Sequence, residues 1–184
     1  MTALSKQKMR VDDFLAWAAH QPGRWELLDG VPVAMPPERV IHGDLKYRVA
    51  RALDAAIEQA GIPCRFVLDS AAVRIETYLS YQPDALVYCG HPLPGDALEV
   101  PNPVVVVEIL SPSNAMKDLR DKLVGYFRVP SIMHYLIVDP DKRLIIHHAR
   151  GGGDVIATRI VSDKSLRLDP PGIEMAVADI FPPA

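Results

Sequence analysis

Residues 104–110 read Val-Val-Val-Val-Glu-Ile-Leu, and no other stretch constrains the fold as strongly. β-branched side chains are stiff at χ1 and pack well on a pleated surface. An unbroken apolar run lacks the alternation of a strand with one wet face, so this strand is expected to be covered on both sides. Ser111-Pro112-Ser113 then offers a helix N-cap, residues 114–127 read as a helix, and residues 133–138 read as the next strand. Strand, helix, strand over that distance implies a right-handed parallel crossover.

The rest of the chain supplies elements to cover that strand. Residues 11–19 form a short amphipathic helix, and residues 24–28 and 31–34 form two strands joined by Asp29-Gly30, a tight-turn signal. Leu45, Val49, Leu53 and Ile57 recur four apart over residues 42–60, the apolar face of a long helix that Gly61 and Pro63 stop. Residues 65–68, 72–75, 82–88, 143–148 and 155–161 are strand-like. With no internal repeat or linker in 184 residues, the expectation is one α/β domain over residues 1–184 with a mixed central β-sheet.

Glu108 is the anomaly within the buried run. A carboxylate there is costly to bury unless a cation, a metal or a proton meets it. The plain reading is a strand-end glutamate paired with an arginine; Asp84 supports another. If residues 82–88 and 104–110 pair antiparallel about a fold-back centred on residue 96, Asp84 stands opposite Glu108. Directly opposed residues have Cβ atoms about 5 Å apart, close enough to share one divalent ion. An all-oxygen ligand set favours Mg²⁺ or Mn²⁺ over zinc.

Pro83-Asp84, followed by Glu108 in its apolar strand and then by Leu110-Ser111-Pro112-Ser113, resembles the PD-(D/E)xK nuclease superfamily. More narrowly, the chain is similar to the family of putative restriction endonucleases, formerly a domain of unknown function. Trp25-Glu26-Leu27-Leu28-Asp29-Gly30 matches that family's opening hairpin, His42 its following helix start, the stretch from Asp118 to Tyr126 its central helix, and Tyr135 to Pro140 its next strand. The resemblance implies a restriction-endonuclease-like core flanked by helices with added β-hairpins. It also implies Mg²⁺- or Mn²⁺-dependent hydrolysis of DNA phosphodiesters, with Asp84 and Glu108 as metal ligands, and a homodimer by analogy.

The superfamily's lysine, two residues after Glu108, is here Leu110. The resemblance points instead to Lys122 as the displaced catalytic lysine. Asp118, Lys122 and Tyr126 lie at i, i+4 and i+8 and share one helix face. Asp118 is then an orienting partner of Lys122 or a competitor for its charge, and Lys122→Met is expected to leave the fold intact. Glu26, on the strand face shared with Arg24, either extends the acidic cluster or faces solvent. His42 is a neighbour of the active site or simply the first turn of its helix. Lys46, Arg48, Arg51, Lys117 and Arg120 are candidates for contacts to the nucleic-acid backbone. His147 and His148 alternate across one strand and make a poor metal pair, and residues 151–153 are a hairpin loop rather than a phosphate cradle.

A net charge of −3 gives no overall attraction to nucleic acid, which keeps two rivals open. One is a catalytically inactive nuclease-fold binding module; the other is a hydrolase of small phosphate esters. Cys64 and Cys89 lack metal-ligand spacing, and the expectation is two free thiols in a reducing cytoplasm. Residues 1–10 do not resemble a signal peptide, and no apolar run is long enough to span a membrane.

Overall fold

The structure is a computed structural model that describes residues 8–111 and 116–182. The run of valines is β7 (Pro103–Ile109), in the middle of a six-stranded sheet. With β3 (Cys64–Leu68), β6 (Ala85–Cys89), β8 (His134–Asp139), β9 (Leu144–Arg150) and β10 (Ile156–Val161), the order is β10-β9-β8-β7-β6-β3. Among the described residues of this sheet, only β7 and β8 pair parallel. Between them runs α3 (Met116–Tyr126), the expected crossover helix; part of the proposed Ser111-Pro112-Ser113 cap lies outside the described residues.

Both faces of β7 are covered, each by a different core. Val105, Val107 and Ile109 pack with Leu45, Val49, Leu53 and Ile57 of α2 (Val40–Ala60), the four-apart series that defined this helix. Val106 faces the other way, into a cluster with Tyr126, Tyr135 and Ile137. A smaller sheet stands beside the main one. It contains β1 (Trp25–Leu28), β2 (Val31–Ala34), β4 (Val73–Glu76) and β5 (Leu79–Tyr81) in the order β2-β1-β5-β4. Its hairpin turns at Asp29 and Gly30, whose φ values of 50° and 78° are the left-handed pair that a two-residue turn requires. The short helix α1 (Val11–Ala18) buries Val11 and Phe14 near β1.

Three strands and a short helix are absent from the sequence reading. β5 is three residues long, too short to show a period. The hairpin β11 (Ser165–Leu168) and β12 (Ile173–Ala176) buries only alternate residues, Leu166, Leu168, Ile173 and Met175, against α2, and leads into α4 (Val177–Ile180).

The cysteines correct an expectation. Cys64 and Cys89 are directly opposed in the β3–β6 register and form a disulfide. They are 25 residues apart in sequence, so only the sheet pairing reveals them as partners. The argument for a reducing compartment from free thiols therefore lapses. No described helix is long and apolar enough to cross a membrane.

His147 and His148 point to opposite faces, as alternation requires, and His147 joins a buried chain that the sequence did not signal. Arg159 Nη2 lies 3.2 Å from His147 Nδ1, His147 Nε2 lies 2.9 Å from His134 Nδ1, and His134 Nε2 lies 2.8 Å from the Pro170 carbonyl. A guanidinium only donates and a carbonyl only accepts, so both imidazoles are neutral with every hydrogen assigned. Protonating either ring would set N–H against N–H. Burial, then the charges of His134 and Arg159, lowers the His147 pKa to about 4; burial also lowers that of His134, over the opposing pull of the Pro170 carbonyl. The folded state thus binds fewer protons than the unfolded chain, and this cluster adds stability as pH rises from about 4 to 6.5. Denaturant titrations across that window should show a smaller rise for His147→Gln than for the unmodified protein. Parallel pH profiles would remove the cluster's contribution.

Candidate active site

The β6–β7 register pairs Ala85 with Val107, Leu86 with Val106 and Val87 with Val105. Continued by one residue, it sets Asp84 opposite Glu108, the fold-back expected about residue 96. Alternation places both on the side of Leu86 and Val106, facing α3 and the smaller sheet. The β3–β6 register, which pairs Leu68 with Ala85, likewise continues to Asp69 opposite Asp84, and the Asp69 amide donates to the Asp84 carbonyl at 3.0 Å. Three carboxylate residues therefore stand in one row across three strands.

Glu108 is 3% exposed. Its Oε1 accepts from Lys122 Nζ at 2.9 Å and from the Tyr126 hydroxyl at 2.6 Å. Lys122 Nζ also lies 3.0 Å from Glu26 Oε1, which accepts from the Gln82 amide at 3.1 Å. The shared helix face thus brings Lys122 and Tyr126 to Glu108. Asp118, one turn earlier, lines the same cavity and acts on Lys122 through its charge. Glu26 belongs to the acidic cluster rather than to the solvent face of its hairpin.

Close packing sets the depth of α3. A Cβ on Gly125 would come within 2.6 Å of the Tyr81 ring, so only glycine lets the helix lie this near β5. Lys122 Nζ in turn stands 5.7 Å from the centre of that ring.

Asp84 is held by a separate set of partners. Its Oδ2 accepts from the Ile109 amide at 2.7 Å and from His42 Nε2 at 3.2 Å. Its Oδ1 lies 3.0 Å from Lys46 Nζ and 3.4 Å from Arg24 Nη1. Lys46 is ion-paired as well with Asp69 at 2.9 Å and with Glu38, and Arg24 with Asp69 at 2.6 Å and with Glu38. Lys46, by its sequence a candidate contact to nucleic acid, is at 4% exposed instead enclosed by the site. His42 is in the first turn of α2 and at the site together. Arg24, Glu38, Lys46 and Asp69 were missed as site residues. The spacing of Glu38, His42 and Lys46, each four apart, was the available signal for two of them.

The electrostatics separate the two facing acids. Burial raises the Glu108 pKa, Lys122 pulls it down, and Asp84 and Glu26 push it up again, so that it reaches about 7. For Asp84, burial is outweighed by the His42 hydrogen bond, the Lys46 charge and the Ile109 amide, and its carboxyl falls well below the usual range. Lys122 is raised well above an ordinary lysine, because Glu108 and Glu26 outweigh its burial. Burial beside Glu108 likewise raises the Tyr126 hydroxyl well above its ordinary value.

These groups line a cavity of about 650 Å³, with Arg24, Glu26, His42, Asp84, Glu108 and Lys122 in its wall. Carboxylate oxygens and one imidazole suit a hard or borderline divalent ion. The donor atoms of Glu38, His42 and Asp84 lie within 4.8 Å of one another, so the donor chemistry fits a metal centre.

Two known proteins are similar to this chain, one by sequence and one by fold. An uncharacterized protein of Synechocystis sp., slr1290, is 24% identical over 176 residues, covering 95% of this chain and 92% of that protein. The crystal structure of a putative nuclease belonging to DUF820 from Anabaena variabilis superposes with a TM-score of 0.71 at 15% identity, covering 94% of this chain and 97% of that one. At that identity the likeness is one of fold. The sequence profile of the Uma2 family, putative restriction endonucleases, matches residues 11–178. This chain therefore belongs to the Uma2 family of putative restriction endonucleases.

Proposed function

We propose that the protein is a divalent-metal-dependent endonuclease that hydrolyses phosphodiester bonds in DNA. The observation that carries this reading is the pair of carboxylates facing each other across β6 and β7 on one cavity, with the Lys122 ammonium 2.9 Å from Glu108. Asp84 and Glu108 would hold Mg²⁺ or Mn²⁺, which when bound supplies positive charge at the phosphoryl oxygen and acidifies water.

The chain's own groups do the positioning. The Ile109 amide and His42 fix the Asp84 carboxylate, and Tyr126 fixes Oε1 of Glu108. Lys122 keeps its proton, so its part is that of a fixed positive charge beside a developing anion rather than of a base. It takes the place of the strand lysine absent at Leu110, whose side chain packs against the Tyr126 cluster. Arg39 is exposed at the cavity and Arg120 on α3, suited to contacts with the phosphate backbone.

A second reading rests on the same contacts. Lys122, Lys46 and Arg24 already neutralise much of the acidic row, as in a nuclease fold retained only for binding. Supercoiled, linear and single-stranded DNA incubated with Mg²⁺, with Mn²⁺ and with chelator separates the two. Metal-dependent nicking or cutting is the expected result. No cleavage of any substrate in either metal, with DNA binding retained, would leave the binding module.

A further inference from the structure

Lys46 is the least expected member of the site. It stands on α2 one turn after His42, and its ammonium is held by Asp84 at 3.0 Å, by Asp69 at 2.9 Å and by Glu38. An ammonium is a compact, strongly hydrated charge that is expensive to bury. Surrounding it with three carboxylates gives it the donor set that a hard divalent ion also takes. Glu38, His42 and Asp84 offer donor atoms within 4.8 Å of one another at this same place.

The geometry points to Lys46 as a resident cation that fills a second ion position, so that the centre takes one divalent ion, at Asp84 and Glu108, and not a pair bridged by Asp84. This rests on the metal-dependent reading proposed above. The charges set the sign. Glu38, Asp69 and Asp84 face Lys46 and Arg24, three negative groups against two positive, which leaves one negative charge. A dication entering there meets two cations and must displace a buried ammonium. Without the Lys46 charge the same cluster carries two negative charges, which a single dication neutralises. His42 then supplies the nitrogen that gives Mn²⁺ an advantage over Mg²⁺.

The test is the Mn²⁺ stoichiometry of the full chain, by calorimetric titration and by electron paramagnetic resonance of bound Mn²⁺. Lys46→Met keeps the stem and removes the charge. The unmodified protein should bind a single ion and Lys46→Met twice as many; Lys46→Met/Glu38→Gln should lose the extra ion. The inference fails if Lys46→Met binds the same number of ions as the unmodified protein, or if the unmodified protein already binds two. An unmodified protein that binds none defeats the metal-dependent reading instead, and the difference between it and Lys46→Met still decides the role of Lys46. If Lys46→Met is unfolded in chelator, recovery of its circular dichroism on adding Mn²⁺ supports the inference, and no recovery overturns it.

Discussion

Lys122→Met should lower folding stability by about 3–5 kcal/mol near pH 8, the cost typical of removing one partner from a buried ion pair. The sequence alone leads only to the expectation that the fold survives this change. In the structure Lys122 is 3% exposed, and its ammonium stands between Glu108 at 2.9 Å and Glu26 at 3.0 Å. Removing it leaves two buried carboxylates with a hydroxyl and an amide but no cation.

The loss should depend on pH. Glu108 already titrates at about 7 when folded against 4.5 for an ordinary glutamate, so it binds more protons folded than unfolded, and its contribution falls as pH rises across that window. Without Lys122 the folded value moves higher still. Chemical denaturation of Lys122→Met near pH 5 should therefore show much of the stability returned, and Lys122→Met/Glu108→Gln should recover it near pH 8. A single variant within about 1 kcal/mol of the unmodified protein near pH 8, the range of an exposed pair, would mean that Lys122 is held far less tightly than its contacts indicate.

The second large effect is on activity. Asp84→Asn should reduce metal-dependent cleavage at least about 10³-fold, the equivalent of roughly 4 kcal/mol of transition-state stabilisation. The fold should survive. Once Asp84 is neutral, Glu38 and Asp69 balance Lys46 and Arg24, and the asparagine oxygen still accepts from the Ile109 amide. Retained melting temperature with lost cleavage and weakened Mn²⁺ binding is the expected pattern. Cleavage within tenfold of the unmodified protein would remove Asp84 from the chemistry.

How much of this was legible in the sequence depends on the range of each interaction. The valine run, the four-apart series on α2 and the Asp29-Gly30 hairpin are local patterns, and each became the element it implied. The facing of Asp84 and Glu108 is not local, yet one antiparallel fold-back fixes it, because a single register sets every pair along two strands. The contacts of Asp84 with His42, Lys46 and Arg24 were out of reach, since they join the residue before β6 to α2 and to the residue before β1, segments with no shared register. Lys46 misled for the same reason: a lysine in an amphipathic helix reads as solvated until the strand it lies against is known. The cysteines looked unrelated because pairing them requires the β3–β6 register, which no turn signal between residues 68 and 85 announces. Asp69, at the end of the same pairing, was hidden with them.

That disulfide also closes a loop of force. From His42 the chain runs along α2 to Cys64, crosses the disulfide to Cys89, returns down β6 to Asp84, and reaches His42 again through a 3.2 Å hydrogen bond. A helix, a covalent brace, a strand and a hydrogen bond thus form a four-bar frame. A helix and a strand are stiff members and the brace admits little play, so movement at one corner is carried to the others. With the brace cut, the β3–β6 ladder and the buried Leu45, Val49, Leu53 and Ile57 still tie α2 to the sheet, so the frame loses its covalent member and keeps the others. The edge of the sheet and the acidic row are thus two corners of one closed circuit of bonds.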